Sequence, residues 1–227
     1  MTKYLLEIKK IKKVFNHKNG LIKVFDNVNL KVRPGELIAL VGPSGSGKSS
    51  FLHLLSLLEK PSSGKIVFMG RDTKKLNENE KDAIRQKKIS MIFQDNNLLS
   101  DFTALENVLM PLVIRGENHK ISFSKAKRIL KLVKLQERQD HFPNELSGGE
   151  QQRVAIARSL IAETNLILAD EPTGNLDFKT SADIFSYFIK LKKLNKAVIF
   201  ATHNRELANK ADYKLSISNG NIKRLSA

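Results

Sequence analysis

The feature that most restricts the fold is a glycine-rich loop set between an apolar run and a helical one. Residues 37–41, Leu-Ile-Ala-Leu-Val, are continuously apolar and lead into Gly42, Pro43, Ser44, Gly45, Ser46, Gly47, Lys48 and Ser49. Such a run, without alternation, suits a strand buried on both faces, as in a parallel sheet. The loop fits G-x-x-x-x-G-K-[ST], and residues 50–58, beginning with Ser50, read as the helix the motif requires behind it. The glycines let the backbone curl so that N–H groups converge on an anion, and the helix adds the positive end of its dipole. Lys48 then reaches the β- and γ-phosphates as a mobile point charge, and the Ser49 hydroxyl ligates Mg²⁺. A glycine-rich turn with a solvated lysine is the competing reading, and it leaves the flanking strand and helix unexplained.

Apolar runs recur at residues 89–93, 166–169 and 197–201, with helical stretches between them. That alternation predicts an α/β fold. Residues 4–15 and 25–32 read as strands separated by the turn-rich Asn16, His17, Lys18, Asn19 and Gly20. From about residue 94 to 163 the pattern is mostly helical. Thr103 and Glu106 fit a capping box, and residues 122–136 carry Ile129, Leu132 and Val133 at helical spacing. We expect one domain over residues 1–227: an α/β core from 1–93 and 164–227, and a helical subdomain inserted at about 94–163.

The strand at 166–169 ends in Asp170 and Glu171. In a parallel sheet this places both carboxylates at the carboxyl edge, beside the phosphate loop. Asp170 is suited to hold Mg²⁺ through water, and Glu171 to polarise an attacking water. Alone, the pair before Pro172 could equally cap a loop. The phosphate loop tips the balance.

Composition mainly excludes. The absence of cysteine removes disulfides, thiolate zinc sites and cysteine nucleophiles. The longest apolar stretch, residues 51–58, is broken by His53 and Ser56 and falls far short of the roughly 20 residues of a membrane span. The first residues soon meet charge and show no signal-peptide core, so the chain is expected to stay in the compartment where it is made. Its net charge of +16 fits nucleic acid, an anionic membrane or simply a lysine-rich solvated surface. Residues 1–33 hold nine Lys and Arg against Glu7 and Asp26, yet residues 9–13 read as a strand with an alternating face. No basic run interleaves the aromatics of a single-strand binder.

Leu146, Ser147, Gly148, Gly149, Glu150 and Gln151 resemble the signature of the ABC ATPases. Ser147 and Glu150 also fit a capping box that opens a helix over 151–161, and the two glycines leave its amides bare for an anion. The resemblance implies a P-loop NTPase core with a mainly parallel sheet, an N-terminal antiparallel β subdomain and the inserted helical subdomain. It implies ATP and Mg²⁺ as ligands, with Ser147, Gly148, Gly149 and Glu150 meeting in trans the γ-phosphate held by a second copy of the chain. Gln94 resembles the glutamine loop that touches the metal and reports to the membrane partner. Gly174, Asn175, Leu176 and Asp177 resemble the loop that communicates across the dimer, and His203 the switch histidine on the γ-phosphate. Lys48, Gln94, Glu171 and His203 would thus form the catalytic set. Phe15 resembles the aromatic that stacks on adenine, although the family more often has tyrosine and Phe15 could instead be core.

Residues 97–108 with Met110, Pro111 and Leu112 resemble the lipoprotein-releasing ATPases of Gram-negative bacteria. Residues 169–177 do too, but macrolide-exporter and cell-division relatives share that stretch. This implies integral membrane permease subunits of the lipoprotein-releasing type and a peripheral place on the cytoplasmic face of the inner membrane. The face near residues 94–112 would receive a coupling helix. The ATPase of a macrolide-exporter-like or cell-division complex is the alternative, and a non-transport relative acting on ribosomes or DNA stands behind it. The interval from Lys48 to Asp170 has no room for the coiled coil such proteins often carry, and no nucleic acid is expected. Asp95, Asn96 and Asn97, Ser50 and Asn204 depart from the pattern, Asn204 standing where aspartate would orient His203.

Overall fold

The computed structural model describes residues 3–18, 20–174 and 176–226. Its centre is a six-stranded sheet in the order β10-β9-β3-β8-β7-β6. β3 (Leu37–Val41), β6 (Ile89–Ile92), β7 (Leu166–Asp170), β8 (Ala197–Ala201) and β9 (Tyr213–Ser218) run parallel, and β10 (Asn221–Ser226) closes one edge antiparallel. The continuous apolar runs follow from this placement, because side chains alternate across a strand whose two faces are both covered. In β3, Leu37 and Ala39 join one core while Ile38 and Leu40 join the other.

The first core packs that sheet against α3 (Ala104–Ile114), α4 (His119–Leu132), α5 (Gly148–Ile161) and α6 (Phe178–Lys193). The second packs the opposite face against α1 (Lys48–Leu55) and a four-stranded antiparallel sheet. That sheet has the order β2-β1-β4-β5, from β1 (Leu6–His17), β2 (Gly20–Val32), β4 (Ser63–Phe68) and β5 (Arg71–Asp72). Two further α-helices, α2 (Glu78–Lys88) and the short α7 (Arg205–Ala208), and three single-turn 3-10 helices complete the regular structure described.

Several boundaries differ from the sequence expectation, each for a local reason. The turn expected at 16–20 is narrower: β1 pairs with β2 out to His17 and Gly20, and Asn19 lies outside the described residues. The alternating face expected at 9–13 is interrupted. Lys10 takes φ 51°, the register shifts between Ile8 and Ile11, and Lys9 and Lys10 are consecutively exposed. This bulge brings the Lys10 carbonyl against Gly64, where an added Cβ would sit 2.3 Å from that oxygen, so glycine is required there. α1 starts at Lys48, α4 spans His119–Leu132 instead of 122–136, and α5 starts at Gly148. β6 stops at Ile92, one residue short of Phe93, and β7 runs on to Asp170. The capping boxes of Thr103–Glu106 and Ser147–Glu150 both form.

Candidate active site

Because β3, β6, β7 and β8 are parallel, their carboxyl ends lie along one edge of the sheet, and the candidate residues gather there. The phosphate loop leaves β3 and turns into α1 at Gly47, whose φ is 98° and whose absent Cβ would lie 2.8 Å from Val24 Cγ1. A side chain at 47 is excluded twice over, by the left-handed backbone and by the β2 side chain beneath it. α1 has no side-chain cap, so its first amides are not claimed by a neighbouring hydroxyl or carboxylate. Ser46 Oγ is buried without a protein partner. Lys48 is buried, and its ammonium reaches back over the loop to the carbonyls of Gly42 at 3.0 Å and Pro43 at 3.2 Å.

The acidic pair does not adjoin the loop directly. β8 lies between β3 and β7, which sets the pair two strand spacings, about 10 Å, from β3. The end of β8 is fastened on both sides: Thr202 donates to the Leu40 carbonyl at 3.2 Å, and Glu171 donates to the Ala201 carbonyl at 3.1 Å. The next residue, His203, therefore stands between lysine and glutamate. Its Nε2 is 3.3 Å from Lys48 Nζ and 3.5 Å from Glu171 Oε1, and its backbone N–H lies 3.4 Å from Glu171 Oε2. Three residues far apart in sequence thus meet as one cluster.

Glu171 carries the marks of a tuned carboxylate. Its backbone is left-handed at φ 45°, and its Oε1 is buried without a hydrogen-bond partner. Burial pushes its carboxyl above the ordinary range; His203 and Lys48 oppose that, and Asp170 adds to it. Asp170 is buried at the last position of β7. Ser49 is exposed in the first turn of α1, as is Ser50 in part.

Gln94 follows β6, exposed, and its side chain makes no hydrogen bond among the described residues. The turn after it is pinned. Asn96 and Asn97 take φ 59° and 47°, and Arg158 of α5 donates to both carbonyls at 2.7 Å. Sequence reasoning missed Arg158. The signal was a cation whose helix neighbours Val154–Ala157 and Ser159–Ile161 are all fit to be buried, as they are. Asn204 turns away from His203: its side chain accepts from the amides of Glu206 and Leu207 and caps α7, so the expected loosening of the histidine finds no contact to act through. Phe15 is 36% exposed on β1 with the Lys13 ammonium 4.5 Å above its ring, so it is not core. It pairs with Ile22, two residues from the Val24 that touches Gly47.

The signature residues sit elsewhere, at the start of α5. Ser147 Oγ accepts from the Glu150 amide at 3.3 Å, and Glu150 Oε2 accepts from the Ser147 amide at 2.9 Å. Glu150 Oε1 accepts from Arg138 at 3.1 Å, so both its oxygens are engaged within the chain and its carboxyl is held low, chiefly by the Ser147 amide. Ser147 and Gly148 are exposed, and a Cβ on Gly148 would meet nothing within 4 Å. In the loop 174–177, Asp177 caps α6 and Asn175 lies outside the described residues.

The chain as a whole resembles known proteins. Residues 25–174 match the family described as ABC transporter. The chain is 46% identical over 95% of its length to the lipoprotein-releasing system ATP-binding protein LolD of Rickettsia bellii, covering 96% of that protein. It is 44% identical to LolD of Hyphomonas neptunium, with 98% of each chain covered. Among solved structures it resembles a post-hydrolysis dimer of the ATP-binding cassette MJ0796 bound to ADP and Pi, with TM-score 0.93, 35% identity and coverage of 97% and 98%. This chain belongs to that family: it is an ATPase cassette of the ABC transporter family.

Proposed function

We propose that two copies of this chain bind two ATP molecules head to tail and that their hydrolysis drives release of lipoproteins from the inner membrane toward a periplasmic carrier. The observation that carries the cargo is identity of 42–47% to LolD proteins over nearly the whole of both chains. Within each site, residues 42–49 cradle the phosphates and Phe15 stacks on adenine, a contact of about 1–3 kcal/mol for base–aromatic pairs. Lys48 exchanges its carbonyl contacts for phosphate oxygens. Ser49, Gln94 and Asp170, the last through water, offer the few hard oxygen donors that suit Mg²⁺, and the orphaned Ser46 Oγ, in the same loop as Ser49, supports a site for polar contents. When bound, Mg²⁺ neutralises charge on the β- and γ-phosphates. Glu171 orients the attacking water and accepts its proton, for which a raised affinity is an advantage near neutral pH. His203 holds the γ-phosphate between Lys48 and Glu171.

Ser147, Gly148 and Gly149 complete the partner's site. The open space at Gly148 supports this, since nothing in its own chain calls for glycine there. We place the permease's coupling helix in a groove of 620 Å³ between α2 and the ends of α3 and α5, lined by Gln86, Met91, Pro111, Ile114 and Arg158. On this reading residues 94–163 act as one subdomain, and Arg158 ties the groove to the glutamine loop. No helix among the described residues is long and apolar enough to cross a membrane, consistent with a peripheral place on the inner membrane through the permease. The test is co-purification. A permease with a large periplasmic domain is expected; ribosomal or DNA partners would overturn the assignment.

A further inference from the structure

One stretch of surface lies outside the nucleotide site and the signature. α4 carries Lys120, Lys125, Lys127, Arg128 and Lys131 and no acidic residue. Ser122, Ala126 and Leu130 are its buried side. At 3.6 residues per turn, Lys120, Lys127, Arg128 and Lys131 then line the opposite side, and all are exposed. None of these four forms an ion pair among the described residues, while Lys125 and Lys134 on its margins reach Glu163 and Asp183.

A lysine-rich composition could leave such a stripe by chance, but α2 argues against that. There Lys81 pairs with Glu78, Arg85 with Asp82, and Glu78 also receives Lys60. Half of the cations of α2 are thus neutralised, Lys87 and Lys88 having no ion pair among the described residues, whereas α4 pairs only Lys125 of its five.

Apolar groups lie beside the stripe. Ile121 is 58% exposed, and the Lys127 ammonium stands 4.7 Å above the half-exposed Phe123 ring. At the end of α3, one short connection away, Val113 and Ile114 are 50% and 62% exposed. Ile114 also lines the groove assigned to the permease, so the two surfaces are continuous. Cations interleaved with exposed apolar side chains fit a membrane interface, where ammonium groups meet anionic headgroups and apolar groups enter the boundary beneath. Duplex nucleic acid would answer the cations and leave the apolar groups in water.

We propose that α4 and the end of α3 form a docking surface for anionic lipid headgroups. It rests on the reading that the chain works at a membrane, and not on its cargo. The full chain, without permease, should sediment with vesicles of phosphatidylglycerol and phosphatidylcholine, release at high salt, and ignore phosphatidylcholine alone. The triple variant Lys127→Glu, Arg128→Glu, Lys131→Glu should bind at least about tenfold less, given the contribution of each cation near such a surface. A matched triple on the antiparallel sheet, Lys9→Glu, Lys10→Glu, Lys65→Glu, should stay within about twofold of the parent, and ATP hydrolysis should be unchanged in both. Equal loss in the two triples, retained binding in the first, no binding by the parent chain, or capture of duplex DNA in place of vesicles would each overturn the proposal. A chain that ignores vesicles yet co-purifies with its permease would overturn this inference alone. Binding vesicles without bringing down any permease would overturn the proposed function and leave this inference standing.

Discussion

Two helices of this molecule start at glycine-bearing turns read from the sequence as anion-binding, and they are finished in opposite ways. At α1 the turn is enclosed by its own chain: Gly47 is pressed by Val24, Lys48 is buried, and no side chain caps the helix. At α5 the turn is exposed, capped by Ser147 and Glu150, and Gly148 faces open space. The first has the cationic group and the neighbouring base that chemistry needs. The second has no comparable cluster among the described residues: its cation, Arg138, is taken up by Glu150. On the proposed reading, such a chain would hold a nucleotide with its first turn and rely on a second copy to present the donors of the other.

The largest effect should come from the enclosed half. Glu171→Gln is expected to lower ATP turnover by roughly 10²–10⁴-fold while ATP still binds, because only proton acceptance is removed. Phosphate release measured beside bound nucleotide checks this, and normal turnover would remove Glu171 from the role of base. Lys48→Ala should weaken ATP binding by about 10–100-fold, the range of a charged hydrogen bond. Unchanged affinity would take Lys48 out of the site.

The open half is tested by complementation. Ser147→Ala with Gly148→Trp should stop turnover in the pure variant, since the space at Gly148 is where a partner would stand. Mixed in equal amounts with Lys48→Ala, it should recover about a quarter of the parent sites, one per mixed dimer. No recovery in dimers shown to form would mean that each chain works alone.

How much of this was legible beforehand follows the range of the interactions. The loop 42–49 and the Ser147 capping box are local, so spacing alone announces them. The alternation of cores in the central sheet is also local, read from runs such as Ala197–Ala201. Strand order is not. That β8 separates β3 from β7, and so puts His203 between Lys48 and Glu171, depends on pairing between segments more than 150 residues apart. The bulge at Lys10 was hidden likewise, since it packs against Gly64 on another strand. The exposure of Phe15 depends on which face of the hairpin meets the core.

Arg158 joins the two halves mechanically, since α5 begins at the signature and its guanidinium holds the carbonyls of Asn96 and Asn97 after Gln94. Arg158→Ala should cost about 1.5–3 kcal/mol, as a charged donor is lost from the carbonyls of buried Asn96 and exposed Asn97. For a chain of this length that is about 2–4 °C in Tm per kcal/mol. Thermal unfolding reads the cost, and a change below a degree would mean the turn holds itself.

The smallest effect tests whether the enclosed half is strained by its own carboxylate. Burial raises the Glu171 carboxyl above its ordinary 4.5, so ionising it costs more in the folded chain than in the unfolded one. Stability from this group is therefore full below 4.5, where both states are protonated, and is lost as pH rises through the folded value. Gln cannot ionise and carries no such loss. Glu171→Gln should thus melt above the parent at pH 7–8, and the gap should close as pH falls to about 4. A gap that is absent at neutral pH, or that widens in acid, would mean that His203 and Lys48 fully offset the burial. Glu171 would then be an ordinary carboxylate, with the distinction between the two halves resting on exposure alone.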